Sequence, residues 1–150
     1  METLAPGTRI TASAARSAYD PHCYLCPGNE RANGAVNQSY AKPYVFANDF
    51  PALSSVSDAV GGAGGLLTAE PVAGQCRVLC YSPRHDLSLG NLPAAETLAV
   101  VRTWRSQFTE LDARPDLAYV LIFENRGDMM GASNPHPHGQ IWATATVPNE

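Results

Sequence analysis

The spacing of apolar residues predicts one long helix, from about Pro93 to Ala113. Its apolar positions recur at the i, i+4, i+8 and i+11 spacing of a helix that lies on a sheet: Val100, Val101, Trp104, Phe108 and Leu111. A proline is favoured in the first helical turn, because the N–H that it lacks would have no partner there. Pro115 disfavours helical backbone in the residue before it, so we expect the helix to end there.

Period-two alternation and apolar runs predict four strands. Their sequences are PYVFANDF (43–50), CRVLCYS (76–82), LAYVLIFEN (117–125) and HGQIWATATV (138–147). The third has the longest apolar run and is predicted to be the most buried. In the fourth strand, side chains alternate between the two faces of the sheet. One face holds His138, Gln140, Trp142, Thr144 and Thr146, and the other holds Ile141, Ala143, Ala145 and Val147. A sheet covered by one long helix is an α+β fold.

At 150 residues the chain has the size of one domain. Residues 1–20 show no clear periodicity and are predicted to form a loosely ordered arm, which leaves residues 21–150 as the domain. Residues 54–75 are rich in Ser, Ala and Gly, so ordering them costs entropy and buries little surface. We expect a mobile surface loop there and not a boundary between domains.

Composition and charge narrow the classes of partner. The net charge is −4 and no run of Lys or Arg is present, which argues against nucleic acid or an anionic membrane as the main partner. The first residues contain no apolar core of a signal peptide, and no stretch approaches 18 apolar residues. A cytoplasmic protein is therefore expected.

The four cysteines form two pairs of different character. Cys23 and Cys26 make a C-x-x-C within a stretch rich in Pro, Gly and Asn, which in a reducing compartment indicates metal or redox chemistry. Cys76 and Cys80 lie four residues apart in a predicted strand and share a face. We interpret this second pair as small buried apolar side chains.

The segment SNPHPHGQIW, residues 133–142, holds two of the four histidines. If extended backbone reaches back to His136, then His136, His138 and Gln140 project from one face at intervals of about 6.6 Å. Pro135 and Pro137 stiffen the segment and are tolerated at the start or the edge of a strand. A neutral imidazole is a good nucleophile toward phosphorus. The alternative is a pair of hydrogen-bonded polar residues without a chemical role.

A zinc site is a second hypothesis, since zinc prefers four sulfur and imidazole ligands in a structural site. Cys23, Cys26, His85 and one of the two histidines of the SNPHPHGQIW segment would complete such a set. His22 is adjacent to Cys23 and is expected at the surface. A metal with four protein ligands has no open position for catalysis, so its role would be structural.

Four segments together resemble the N-terminal half of the galactose-1-phosphate uridylyltransferases, a branch of the histidine-triad superfamily. They are HCYLCPGNERANG, YVFANDFPAL, RVLCYSPRHDLSL and FENRGDMMGASNPHPHGQIWATATVPNE. The resemblance implies a histidine-triad-like half domain with an antiparallel sheet. It also implies a ping-pong exchange in which UDP-glucose and galactose 1-phosphate become glucose 1-phosphate and UDP-galactose.

The resemblance also assigns roles to individual residues. His138 corresponds to the nucleophile that carries the uridylyl group, and His136 to a zinc ligand together with Cys23, Cys26 and His85. Gln140 corresponds to a residue that binds phosphoryl oxygens, where hydrolytic relatives have a third histidine. An amide cannot protonate a leaving group, so the covalent intermediate should persist until a sugar phosphate arrives.

The remaining correspondences concern the nucleotide. Tyr24, Phe46, Asn48 and Asp49 resemble the uracil and ribose pocket, with Phe50 nearby, and Asn125, Gly131 and Ser133 resemble phosphate contacts. Two alternatives stay open: Phe46 and Phe50 as core residues, and Asn125 as a turn cap.

The chain also departs from the family pattern. Arg9 and Arg16 do not align with its upstream basic residues, Pro71 to Gly74 replace a common S-A-R-G, and members continue into a second half. The resemblance implies a homodimer or pairing with such a C-terminal half. Two other functions remain open, a related nucleotide hydrolase or dinucleotide phosphorylase, and a catalytically incomplete, zinc-stapled nucleotide-binding module.

Overall fold

The computed structural model describes residues 16–55, 71–132 and 134–148. The strands are β1 (Tyr44–Ala47), β2 (Gly74–Cys80), β3 (Tyr119–Phe123) and β4 (His138–Thr144), and helix α1 is Ala94–Asp112. Short 3-10 helices occupy Leu89–Asn91 and Asp128–Met130. No helix within the described ranges is long and apolar enough to span a lipid bilayer.

The four strands form one antiparallel sheet in the order β1-β2-β4-β3. The α+β prediction is thereby confirmed, and helix α1 agrees with its predicted bounds to within one residue at each end. Strands β2 and β4 are central, and their register pairs Cys80 with His138 and Val78 with Gln140. His138 and Gln140 therefore lie on a central strand, which is hydrogen-bonded on both sides.

The two faces of the sheet have different roles. Leu79, Ile141 and Ala143 face helix α1, where they pack against its Val100 and Leu111 in the main core. Burying each large side chain of this kind contributes about 1.5–3 kcal/mol. Because side chains alternate along a strand, His138 and Gln140 lie on the opposite face. The helix thus stabilises the sheet from behind and leaves the other face for the site.

The apolar stripe of helix α1 is narrower than predicted. Val100 and Leu111 are fully buried and Trp104 packs against them, whereas Val101 and Phe108 are 45% and 44% exposed. With 3.6 residues per turn, a helix on a flat sheet buries one row of side chains, and Val101 and Phe108 belong to the neighbouring row.

The prediction that 117–125 is the most buried strand is wrong. Strand β3 is an edge strand, and its Tyr119 and Leu121 are 38% and 41% exposed. A run of apolar residues reports hydrophobicity along the chain, but it does not report how many neighbouring strands cover it. The central strands β2 and β4 hold the deepest positions instead, and Cys76 and Cys80 are both buried on β2, as predicted.

Gly139 permits a close approach next to His138. A Cβ at this position would collide with the Tyr81 hydroxyl and lie 2.8 Å from the carbonyl oxygen of Phe123. Tyr81 is itself buried in the core behind the strand. Only glycine allows this ring to pack directly against the backbone between His138 and Gln140, which holds that part of strand β4 in place.

The predicted arm and loop fall largely outside the described residues, which exclude 1–15 and 56–70. Within residues 16–20, the carbonyl of Ala18 accepts a hydrogen bond from the N–H of His85 at 2.8 Å. The guanidinium of Arg16 donates to the carbonyl of Pro135 at 2.8 Å. This short stretch therefore contacts two of the segments that build the site.

Candidate functional site

The C-x-x-C turn is held by side-chain amides. The N–H of Cys26 donates to the carbonyl of Cys23 at 3.1 Å, and the Asn29 amide donates to the same carbonyl at 2.8 Å. The Asn37 amide donates to the carbonyl of Cys26 at 3.1 Å. Because these polar groups are satisfied inside the turn, both thiols can be buried and aimed at the sheet.

Cys23, Cys26, His85 and His136 form a buried cluster that could hold a metal ion. Their ligand atoms all lie within 4.8 Å of one another. The Cys26 sulfur is 3.7 Å from Nδ1 of His85 and 3.6 Å from Nδ1 of His136. Metal bonds of about 2.0–2.3 Å in a tetrahedron place ligand atoms about 3.3–3.8 Å apart, so the spacing fits with little rearrangement. His22 is exposed and lies outside the cluster.

The ring of His136 is oriented by its second nitrogen. Nε2 lies 2.9 Å from the carbonyl of Ser82 and 3.0 Å from the hydroxyl of Tyr40. The Tyr40 hydroxyl donates to the carbonyl of Leu25 at 2.6 Å, which leaves its oxygen to accept from Nε2–H. Nδ1 therefore faces the thiols with its lone pair, an arrangement typical of a metal-binding histidine.

Asn134 joins the cluster to the histidine segment, and the sequence analysis missed it. Its Oδ1 accepts from the N–H of His136 at 2.8 Å, and its Nδ2 donates to the sulfur of Cys23 at 3.5 Å. A donor to sulfur stabilises a thiolate. The position of Asn134, directly before the Pro-His-Pro-His run, was the available signal.

Acid is expected to destabilise the metal-free protein as the pH falls from about 6.5 to 4. Burial, with a smaller effect from nearby His85, lowers the pKa of His136 to about 4 from its ordinary 6.5. The unfolded chain therefore takes up this proton more readily, so the contribution to stability is complete above pH 6.5 and is lost toward pH 4. The shift corresponds to roughly 3 kcal/mol. Urea denaturation of chelator-treated protein across this range measures it.

The control for this pH effect is a change of the exposed histidine. His22→Gln should leave the pH profile as it is, whereas His136→Gln should flatten it between pH 6.5 and 4. If the profile of the His136 variant keeps its full slope, another group is responsible.

His138 begins strand β4, so the extended backbone does not reach back to His136. Its Nδ1 lies 2.7 Å from the carbonyl oxygen of His136. A carbonyl can only accept, so Nδ1 carries the proton and Nε2 carries the lone pair. The two histidines thus have different surroundings: the ring of His136 is fully buried against the thiols, and that of His138 is half-buried beside two cavities.

The larger of these two cavities is about 240 Å³ and lies on the face of the sheet away from helix α1. Its lining residues are Tyr24, Leu25, Phe46, Asn48, Asp49, Phe50, Val78, His138 and Gln140. The structure therefore brings together all the residues for which the resemblance implied uracil and ribose contacts. Phe50 is 75% exposed, which excludes the alternative of a core residue for that side chain. Phe46 is partly buried and packs on the Tyr44 ring.

The smaller cavity, about 110 Å³, opens on the other side of His138. Arg16, Asn125 and Arg126 are among its lining residues. Asn125 was predicted from the resemblance, whereas Arg16 did not align with the family's basic residues and no motif pointed to Arg126. Gly131 has a φ of +74° in the exposed loop that follows, and Ser133 lies outside the described residues. The cavity is also lined by Glu124, and its two cationic side chains outnumber this one carboxylate, which favours a phosphate ligand beside the imidazole.

Gln140 is oriented by a neighbour on its own strand. The indole N–H of Trp142 donates to the amide oxygen of Gln140 at 3.0 Å. Because the oxygen is engaged, the NH2 group supplies the donors that point at the cavity shared with His138. The period of two predicted that both residues share one face, but it did not predict that they form a hydrogen bond.

Comparison with solved structures shows the same fold. A uridylyltransferase mutant superposes with a TM-score of 0.71 at 24% identity, over 87% of this chain and 41% of that chain. An ADP-glucose phosphorylase from Arabidopsis thaliana with bound ADP-glucose superposes with a TM-score of 0.61 at 22% identity, over 86% of this chain and 41% of that one.

Sequence comparison identifies the family, which the shared fold alone does not. A galactose-1-phosphate uridylyltransferase of Haemophilus influenzae is 47% identical over 136 residues, which cover 90% of this chain and 38% of that protein. The corresponding protein of Cryptococcus neoformans is 45% identical over 140 residues, 88% of this chain and 37% of its own length. This chain thus spans under half the length of these relatives. The family model described as the N-terminal domain of galactose-1-phosphate uridyl transferase matches residues 5–148, and the chain therefore belongs to that family.

Proposed function

We propose that this chain carries the nucleotidyl-transfer site of a UDP-glucose:hexose-1-phosphate uridylyltransferase. The observation that carries the proposal is the hydrogen bond from Nδ1 of His138 to the carbonyl of His136, at the border of two cavities. It fixes the tautomer whose Nε2 is nucleophilic. The larger cavity suits a nucleoside and the smaller, with its arginines, suits phosphates.

In the first step Nε2 of His138 attacks the α-phosphorus of UDP-glucose. An N–P bond forms, the P–O bond to the β-phosphate breaks, and glucose 1-phosphate leaves with the bridging oxygen. The Nδ1 proton stays on the ring, and the His136 carbonyl stabilises the positive charge that develops there. In the second step a phosphate oxygen of galactose 1-phosphate attacks the same phosphorus, which releases UDP-galactose and restores the imidazole.

Neighbouring side chains complete the proposed site. The NH2 group of Gln140 donates to a phosphoryl oxygen, while the amide has no acidic proton for a leaving group, which favours transfer over hydrolysis. Asn125, Gly131 and Ser133 contribute further phosphate contacts in this proposal. Tyr24 and Phe46 contact the base, and Asn48 and Asp49 bind the ribose.

We assign zinc to the Cys23, Cys26, His85 and His136 cluster, because two sulfur and two imidazole ligands that are buried and close together suit that ion. When bound, zinc supplies structural cross-linking and no open coordination position. Zinc would affect the reaction indirectly, by holding His136. Holding that residue fixes the carbonyl that orients the ring of His138.

The cellular location and the assembly of the protein are also part of this proposal. The cysteines are all free thiols, which fits the cytoplasm. We also propose a homodimer or pairing with a C-terminal half that completes the hexose-phosphate site.

Intact-mass spectrometry after incubation with UDP-glucose tests the function. We expect a covalent UMP adduct that disappears when galactose 1-phosphate is added, with UDP-galactose as the product. Free UMP without a sugar phosphate would instead identify a hydrolase. Nucleotide binding without an adduct in a folded, zinc-loaded sample would identify a binding module.

A related nucleotide phosphorylase is the second candidate, since one structural neighbour is an ADP-glucose phosphorylase. ADP-glucose in place of UDP-glucose distinguishes it. An adduct that forms faster from ADP-glucose than from UDP-glucose would overturn the assignment to uracil.

A further inference from the structure

Arg31 lies behind the larger cavity without lining it. Its Nε is 3.7 Å from Oδ2 of Asp49, and the two side chains are only 12% and 7% exposed. Its guanidinium carbon lies 4.2 Å from the centroid of the Phe46 ring. Asp49 and Phe46 both line the cavity, so one cation contacts two cavity residues from the protein side.

The pair is incompletely satisfied. Among the described residues, Nε and Nη1 of Arg31 and Oδ1 of Asp49 have no hydrogen-bond partner. A separation of 3.7 Å is an ion pair but is too long for a hydrogen bond. Burying such groups costs free energy, so the arrangement is poor as a device for stability alone. The ion pair therefore leaves the Asp49 carboxylate, which lines the larger cavity, short of hydrogen-bond donors.

The backbone of Arg31 is held in the turn that follows the C-x-x-C. Its N–H donates to the carbonyl of Ala35 at 2.8 Å, and its carbonyl accepts from the N–H of Gly34 at 3.0 Å. Gly34 has a φ of +84°, a conformation that glycine adopts without strain. The backbone of Arg31 is thus fixed in the turn that comes after the one with the two thiols.

We propose that Arg31 is a positioning residue for nucleotide binding. Its guanidinium holds the Asp49 carboxylate and the Phe46 ring in the geometry in which that carboxylate accepts a hydrogen bond from a sugar hydroxyl. This inference rests on the proposed function of the cavity. The cation attracts the carboxylate, the flat guanidinium supports one side of the aromatic ring, and the ligand supplies a donor that the carboxylate lacks.

The test compares two nucleotides that differ only in the sugar hydroxyls. Isothermal titration calorimetry measures the dissociation constants of UMP and of 2′,3′-dideoxy-UMP for the wild type and for Arg31→Met. We expect UMP to bind the variant about tenfold or more weakly, as loss of a hydrogen bond to a charged group predicts. The affinity for the dideoxy nucleotide should change less than threefold, because it lacks the donor.

Two further variants separate positioning from folding. Arg31→Lys keeps the charge without the planar fork and should recover part of the preference for UMP. Arg114→Met removes an arginine from the exposed ion pair with Asp116 and should change neither dissociation constant. Metal content and far-UV circular dichroism establish that each variant is folded.

The outcomes separate the proposed function of the cavity from the positioning role of Arg31. If the wild type binds neither nucleotide, the proposed function of the cavity fails. If the wild type prefers UMP and Arg31→Met keeps that preference, or loses affinity for both nucleotides equally, the positioning role of Arg31 fails while the proposed function stands.

Discussion

Replacing His138 by glycine should abolish the covalent UMP adduct. In the proposed mechanism the adduct forms through Nε2 of this ring, which the hydrogen bond to the His136 carbonyl places at the border of the two cavities. No other side chain of the described cavities combines an imidazole with access to both. We expect the rate of adduct formation from UDP-glucose to fall by at least about a thousandfold, as for the loss of other nucleophiles. Time-resolved intact-mass spectrometry measures it.

The matched control is His22→Gly, which removes an exposed histidine and should leave adduct formation unchanged. The His138 variant should keep its metal and should still bind UMP, because the Cys-His cluster and most of the larger cavity are intact. An adduct that forms at the normal rate on the glycine variant would transfer the nucleophilic role to another residue.

Replacing Cys26 by serine should have the largest effect on stability. This thiol is fully buried and lies within 3.7 Å of both cluster histidines. Burial raises its pKa to about 11, so a metal ion has to displace a proton to bind, and a serine hydroxyl offers zinc no comparable ligand. We expect loss of the metal and a melting temperature lower by roughly 10 °C or more, since structural zinc contributes several kcal/mol.

Mass spectrometry of metal content and thermal unfolding measure both effects. Cys76→Ser is the control, because Cys76 is also buried on the sheet face but lies outside the cluster. The Cys76 variant should retain the metal. Its melting temperature should fall less than that of the Cys26 variant, because it loses only a buried apolar contact. Chelated wild-type protein should melt near the Cys26 variant. Full metal content in that variant would show that the cluster is not the binding site.

Local patterns were enough to predict most secondary structure. Helix α1 is bounded by prolines and has a clear helical period, and strand β4 alternates from His138 onward. Both patterns depend only on residues that are close in sequence, so they can be recognised without knowledge of the fold. The burial of β3 and of Val101 and Phe108 could not be predicted this way, because it depends on neighbours that are distant in sequence.

The candidate site also has features that the sequence predicted and features that it did not. Motifs named the thiols, the imidazoles and the residues of the larger cavity. They did not reveal the Arg31–Asp49 pair, the Trp142–Gln140 hydrogen bond or the contact of Asn134 with Cys23. Each of these depends on side-chain direction or on packing between segments, and residue spacing alone does not report either.

The sequence by itself determined the available chemistry: two adjacent thiols, a proline-stiffened pair of histidines, and the alternation that sets Gln140 on the face of His138. Only the tertiary structure decided which histidine turns to the thiols and which keeps a nucleophilic nitrogen. The physical reason is that the decisive contacts join residues 59 and 110 positions apart, and the Ser82 carbonyl and Tyr40 hydroxyl orient the ring that closes the cluster.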